Sequence, residues 1–374
     1  MVGLCVGAWV VGFAGAQEPA TERPPRYIER ERMVAVPQAG PQGLDVLEVY
    51  VDAPGRHPLV VLTHGSAVDH AEHAHVTPWA QLNQALWFAR RGYVVLVVVR
   101  KGYGRSGGIE DGHAGGCGSH GSFQESGEAS ADDLRQIIYS AAKLPEVDPA
   151  TVLSVGVSTG GFAQVALSAD PPRNLKAAIS FAGGRGSDGK EHNCDLGGLE
   201  SAFHGFGKSA AKHGAMPMLW IYSENDHFFP PAMAVKFDEA YRKGGGADEF
   251  VMVPPYGDDG HHLYAHPDAW PEQVTAFLKA HELLPLGDTV LPLPAIPDVP
   301  APPELHGRGL AGWKLYLTAG PFKAFAVTAE GFWGDSYEQF DQAIADHDAV
   351  EHCRKAAGEK GNGCHIVART PAAK

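Results

Sequence analysis

Residues 151–162 read TVLSVGVSTGGF, and within them Gly156-Val157-Ser158-Thr159-Gly160 fits the pattern G-x-S-x-G. An apolar, β-branched run from Thr151 to Val157 leads in, and a small-residue helical stretch from Gly161 to Ser168 follows. A serine on such a strand-to-helix turn has strained dihedrals and an exposed hydroxyl, and the flanking glycines remove bulk that the turn cannot hold. Glycine is common in this chain, 46 of 374 residues, so the pattern alone also fits an ordinary tight turn. The residues that could serve the hydroxyl decide the matter.

A serine hydroxyl at its ordinary pKa is a poor nucleophile. It needs a neutral imidazole to take its proton, an acid to fix the imidazole's tautomer, and N–H donors for the developing oxyanion. After a nucleophile elbow the partners follow in the order Ser, Asp/Glu, His. Met218 to Tyr222 reads as a buried strand ending in Ser223-Glu224-Asn225-Asp226, and Asp226 is favoured over Glu224 as the acid. Glu249 to Val253 is a second short strand, which runs through Pro254-Pro255 into a loop bearing His261 and His262. His261 is favoured as the base because Gly260 directly before it lets the loop turn tightly. Leu59 to Leu62 leads into Thr63-His64-Gly65-Ser66, so the amides of Ser66 and Thr159 are the candidate oxyanion donors. Each element lies at a strand's C-terminal end, the sheet edge where ligands bind. This is acyl-transfer chemistry, and it calls for no cofactor and no metal.

One other cluster could bind a cation. Asp69-His70-Ala71-Glu72-His73-Ala74-His75 sets three imidazoles at i, i+3 and i+5, a set zinc accepts. His75 leaves the face that His70 and His73 share, so a solvated loop is the expectation. His64 precedes the serine and reads as a structural loop residue.

The segments LTHGS, RKGYGRSGG, GVSTGG, FAGGRG, PMLWIYSENDHFF and DGHHLY resemble the α/β-hydrolase superfamily over residues 40–284. The likeness is to its dienelactone-hydrolase-like and prolyl-oligopeptidase-like branches. The resemblance implies a doubly wound, mostly parallel sheet and a serine hydrolase with a Ser158–His261–Asp226 triad. Dienelactone hydrolases proper use a cysteine nucleophile, whereas position 158 is serine, which points to ordinary ester hydrolysis.

The intervening sequence agrees with alternating strands and helices. Tyr93 to Val99 is an unbroken β-branched run, suited to a parallel strand buried on both faces. Helices are expected from Thr77 to Arg91 and from Ser130 to Lys143, the latter with Ser130 as cap. Ala177 to Ala182 is the strand after the elbow helix. Residues 183–216, rich in glycine, are expected to form an irregular lid.

Composition bounds the setting. Residues 1–16, MVGLCVGAWVVGFAGA, resemble a secretory signal peptide cut after Ala16, though without a basic start. No later stretch is long enough to span a bilayer. Four of the five cysteines lie beyond Ala16, an even number that allows two disulfides. Cys353 and Cys364 would pair locally, leaving Cys117 and Cys194 to anchor the lid. A net charge of −14 argues against nucleic acid as a partner. Catalytic residues fall in 17–284, a Pro-rich stretch at 285–304 reads as a linker, and 305–374 as a small accessory unit. In that unit HIVART is expected to pair with KAFAVT. The unit resembles small α+β domains appended to exported bacterial proteins, and its partner is left open.

The expectation is a secreted or periplasmic serine hydrolase acting on a small-molecule carboxylic ester. A peptidase or amidase acting on short peptides is the second reading, and a non-catalytic binding module on the same fold the third.

Overall fold

The computed structural model describes residues 24–67, 69–110, 122–214 and 216–370. The expected signal peptide at 1–16 and Cys117 lie outside the described residues.

An eight-stranded sheet organises the larger part of the chain. Its N-terminal edge is a charged strand, β1 (Tyr27–Val34), antiparallel to β2 (Leu44–Val51). Arg30 and Arg32 on β1 both reach the Glu48 carboxylate on β2, at 2.8 and 2.9 Å, which lets that acid sit out of solvent. Then come β3 (His57–Thr63), α1 (Leu82–Ala89), β4 (Val94–Val98), α2 (Phe123–Ala141), β5 (Val147–Val157), α3 (Thr159–Ser168) and β6 (Leu175–Phe181). The series closes with α4 (Leu196–His213), β7 (Met218–Ser223), α5 (Pro231–Gly244), β8 (Glu249–Val253) and α6 (Pro271–Ala280). The strand order is β1-β2-β4-β3-β5-β6-β7-β8, parallel from β4 onward.

Both faces of the parallel part are covered, which explains its continuous apolar strands. Period-two alternation divides each strand between two cores. On β7, Met218, Trp220 and Tyr222 pack with α2 to α5, while Leu219 and Ile221 pack with α1 and α6. Trp220 and Trp270 anchor the two cores and are fully buried.

Three expectations need correction. The helix placed at Ser130 begins at Phe123, because Ser122 and Glu125 form a capping box in which each side chain bonds the other's amide. Ser130 is therefore interior, and its hydroxyl donates to Ser126 O at 3.0 Å. The stretch 183–216 is irregular only to Asp195, whose carboxylate caps α4 by accepting from Gly198 N. The helix expected from Thr77 is split: Thr77 is extended before Pro78, a 3-10 turn spans Pro78–Gln81, and α1 follows.

Residues 285–304 hold no helix or strand. Leu291 N donates to Arg90 O at 2.9 Å, and Tyr27 Oη donates to Pro292 O at 2.6 Å. Beyond them α7 (Arg308–Thr318), β9 (Ala324–Val327), β10 (Trp333–Ser336), α8 (Gln342–Ala357) and β11 (His365–Arg369) form a separate three-stranded antiparallel sheet with its helices. The expected pairing is present as β11 against β9. Cys353 at the buried end of α8 is disulfide-bonded to Cys364 just before β11. Among the described residues no helix is long and apolar enough to cross a membrane.

Candidate active site

Ser158 occupies the cap position of α3 with φ 56° and ψ −119°, a left-handed conformation that a non-glycine residue holds only where its surroundings enforce it. Ser158 N donates to Phe181 O at 2.9 Å, and Ser158 O accepts from Phe162 N and Gly184 N at 2.9 and 3.1 Å. The turn is thus tied to the end of β6 and to the start of α3. Close approach fixes two glycines: a Cβ on Gly160 would lie 2.5 Å from His64 O, and one on Gly65 would lie 2.8 Å from Ser158 Cβ. The β3 loop therefore presses directly against the elbow.

Asp226 follows β7 and is 1% exposed. Its Oδ1 accepts the amides of Phe228 and Phe229, both at 2.8 Å. His261 lies in a 3-10 turn (Gly260–Ala265) capped by Asp259, whose Oδ1 accepts His261 N at 2.9 Å. His261 Nδ1 stands 3.0 Å from Asp226 Oδ2 and 3.1 Å from Oδ1. A carboxylate only accepts, so Nδ1 carries the hydrogen and the lone pair of the neutral ring is at Nε2. Phe228 stacks on the His261 ring at 4.2 Å and also lines the cleft onto which Ser158 opens. The two alternatives sit elsewhere: His262 and Glu224 are exposed.

The two expected oxyanion residues are neighbours, with Ser66 Oγ 2.9 Å from Thr159 Oγ1. They belong to a chain that the sequence did not disclose. Arg100 Nη1 is 2.7 Å from Thr159 Oγ1, Ser66 Oγ is 2.7 Å from Tyr103 Oη, and Tyr103 Oη is 2.9 Å from Glu110 Oε1. Arginine only donates and the carboxylate only accepts, so the hydrogens run one way. Arg100 donates to Thr159, Thr159 to Ser66, Ser66 to Tyr103, and Tyr103 to Glu110. Burial pushes the Tyr103 phenol up to about 12, which keeps its proton in the chain. RKGYGRSGG carries Arg100 and Tyr103, but only the fold sets them beside Ser66.

The cleft itself is narrow, about 20 Å³, between Ser66, Ser158, Thr159, Arg185, Phe228 and Phe229. Arg185, 1% exposed, enters from the segment after β6 and donates to Ser130 Oγ at 2.9 Å. That segment is stitched down by Tyr222 Oη to Gly183 O at 2.6 Å and by Asn193 Nδ2 to Arg185 O at 2.6 Å. Cys194, on the same segment, is disulfide-bonded.

The histidine-rich stretch is exposed, as expected of a solvated loop, at every position but His73. It is a 3-10 turn (His70–His75) in which His73 is 3% exposed, packed under Tyr103, while His75 is exposed. His64 is structural in position, its Nε2 accepting Arg100 N at 2.9 Å.

The sheet order, the helices on both faces and the strained serine after β5 define an α/β-hydrolase fold. The X-Pro dipeptidyl-peptidase (S15) family profile matches residues 43–216, a stretch that holds Ser66 and Ser158 but ends before Asp226 and His261. No curated protein matches the chain. Among solved structures, the chain is similar to a Klebsiella pneumoniae protein described as a dienelactone hydrolase, at 17% identity and TM-score 0.48, over 68% of this chain and 99% of that one. It is also similar to Thermogutta terrifontis esterase 2, at 16% identity and TM-score 0.47, over 69% and 95%. A third likeness is to the Pyrococcus horikoshii acylaminoacyl peptidase, at 16% identity and TM-score 0.47, over 71% of this chain and 42% of that one.

Proposed function

We propose that the chain is a serine hydrolase that cleaves a carboxylic ester through an acyl-enzyme. The observation that carries this reading is the Asp226–His261 contact on the sheet edge where the strained Ser158 opens onto a cleft. Ser158 Oγ attacks the ester carbonyl carbon while His261 Nε2 takes its proton, and Asp226 stabilises the imidazolium. The amides of Thr159 and Ser66 receive the oxyanion; removing one such donor costs about 2.7–4 kcal/mol of transition-state stabilisation. The imidazolium then protonates the departing alcohol. Water, deprotonated by the same imidazole, releases the acid and regenerates Ser158.

The aromatic walls Phe228 and Phe229 and the small cleft volume favour a short acyl group. A peptidase is the second reading, and the S15 family match over residues 43–216 is what favours it. Rates over p-nitrophenyl esters from acetate to octanoate, beside Xaa-Pro and aminoacyl anilides, separate the two. The expected result is turnover of esters, fastest with short acyl chains. Anilide turnover exceeding ester turnover would establish the peptidase instead.

An exported location, with residues 17–284 as the catalytic unit and 305–374 as an accessory unit, completes the proposal. The Cys353–Cys364 disulfide supports it, because such bonds persist in oxidising compartments.

A further inference from the structure

We propose that His70, His73 and Glu110 form a binding site for a divalent transition metal of the zinc class, beside the loop that carries Ser66. Glu110 takes the place that the sequence offered to His75, reaching the turn from the segment after β4. Its Oε2 is 3.1 Å from His73 Nδ1 and 3.7 Å from His70 Nε2. The three candidate ligand atoms all lie within 4.8 Å of one another. Atoms bound about 2.0–2.1 Å from a tetrahedral zinc are roughly 3.3–3.5 Å apart, so small side-chain shifts would complete the geometry.

Proton placement points the same way. His73 Nε2 is 3.1 Å from the Ala67 carbonyl oxygen, which can only accept, so the ring hydrogen is at Nε2. Nδ1 of the neutral ring then presents a lone pair to a carboxylate oxygen that also only accepts. Two acceptors held 3.1 Å apart, on a histidine side chain 4% exposed, need a shared positive charge, supplied either by a proton on Nδ1 or by a metal ion between them. A second layer of contacts is also in place. Metal-bound histidines characteristically donate their other ring N–H to a carbonyl or carboxylate, and metal-bound carboxylates are themselves hydrogen-bonded. Ala67 O takes the first role, and Tyr103 Oη, donating to Glu110 Oε1, takes the second. Two imidazoles with one carboxylate suit zinc and its neighbours rather than calcium or magnesium, which prefer oxygen alone. The His70 side chain is 85% exposed, leaving a side on which water would be the fourth ligand. Bound metal would tie the turn after Ser66 to the segment after β4. Through Tyr103 it would also steady the chain of hydroxyls that ends at Thr159.

The test uses the untagged full chain, stripped with a chelator, because the sequence already holds 19 histidines. Cobalt titration read by the visible band of tetrahedral Co²⁺, followed by displacement with Zn²⁺, should give one site per chain. His70→Ala and Glu110→Gln should each weaken that site at least 10-fold, whereas His75→Ala should leave it unchanged. His70 is exposed, so its loss does not threaten folding, and thermal melts without metal check this for each variant. Absence of a stoichiometric tetrahedral site in the wild type would overturn the proposal. So would a site retained by His70→Ala and Glu110→Gln, or one lost in His75→Ala.

Discussion

Ser66 Oγ lies 2.7 Å from Tyr103 Oη, and this contact joins the loop after β3 to the loop after β4 immediately beside the elbow. Tyr103 is fully buried and its single proton goes to Glu110. Its phenol oxygen is therefore an acceptor that holds the Ser66 hydroxyl, and with it the Ser66 backbone. Tyr103→Phe removes that acceptor and leaves both Ser66 and Glu110 short of a partner. The expected outcome is a roughly 10-fold fall in kcat with KM changed less than twofold, since a lost buried hydrogen bond costs about 1–3 kcal/mol and acts here through the proposed oxyanion donor. Equal rates in the variant would remove Tyr103 from the positioning of Ser66.

Ser158 is the expected nucleophile. A fluorophosphonate probe should label the wild type once per chain at Ser158, and Ser158→Ala should lose ester turnover by about 10⁴- to 10⁶-fold. Labelling at another serine, or turnover surviving in Ser158→Ala, overturns the assignment.

His261→Ala should fall to nearly the level of Ser158→Ala, because triad members act as one unit. His262→Ala should keep most of the wild-type rate, its side chain being exposed and its ring 6.2 Å from that of His261. Steady-state kinetics on one ester suffice, and the reverse ranking would move the base by one residue.

How much of this was legible depends on how local each signal is. The elbow and the strand ends bearing Asp226 and His261 declare themselves in short segments, because a turn between a β-branched strand and a helix or loop constrains residue types directly. β1 is not legible in the sequence: YIERERMV is charged, and its antiparallel ladder with β2, on which Arg30 and Arg32 pair with Glu48, makes it a strand. α4 was hidden by Gly197, Gly198, Gly205 and Gly207, whose low helix propensity is overridden by burial of Leu199, Phe203 and Phe206 on one face. The Arg100–Thr159–Ser66–Tyr103–Glu110 chain joins two loops and the first residue of α3, so no window of sequence contains it.

The Cys353–Cys364 bond closes a short loop of the small sheet, at a sequence separation of 11. In the chain-entropy model such a loop contributes about 3 kcal/mol. A Cys353→Ala/Cys364→Ala double variant should lower the melting temperature of the 305–374 unit while ester kcat stays within twofold. Differential scanning calorimetry alongside kinetics reads both. A large loss of kcat would instead mean that this unit supports the cleft.

Asp248, just before β8, gives a pH dependence whose sign can be worked out. Its side chain has no exposure, neither carboxylate oxygen accepts a hydrogen bond among the described residues, and its ion-pair partner Arg242 is 3.3 Å away. Burial, and then the nearby Asp238 carboxylate, push Asp248 up from 3.8 to about 7 against the opposing charge of Arg242. A carboxyl whose folded pKa is raised holds its proton longer in the folded state than in the unfolded chain. The unfolded state then binds fewer protons between about pH 4 and pH 7, so this group costs stability as pH rises through that window. Asp248→Asn keeps the shape and removes the ionisation. Relative to the wild type, the variant should therefore gain stability from pH 5 to pH 8, by on the order of a few kcal/mol. Paired thermal melts at the two pH values measure the gap. A gap that stays constant, or that narrows at pH 8, would mean Asp248 is already charged and paired with Arg242 in the folded protein.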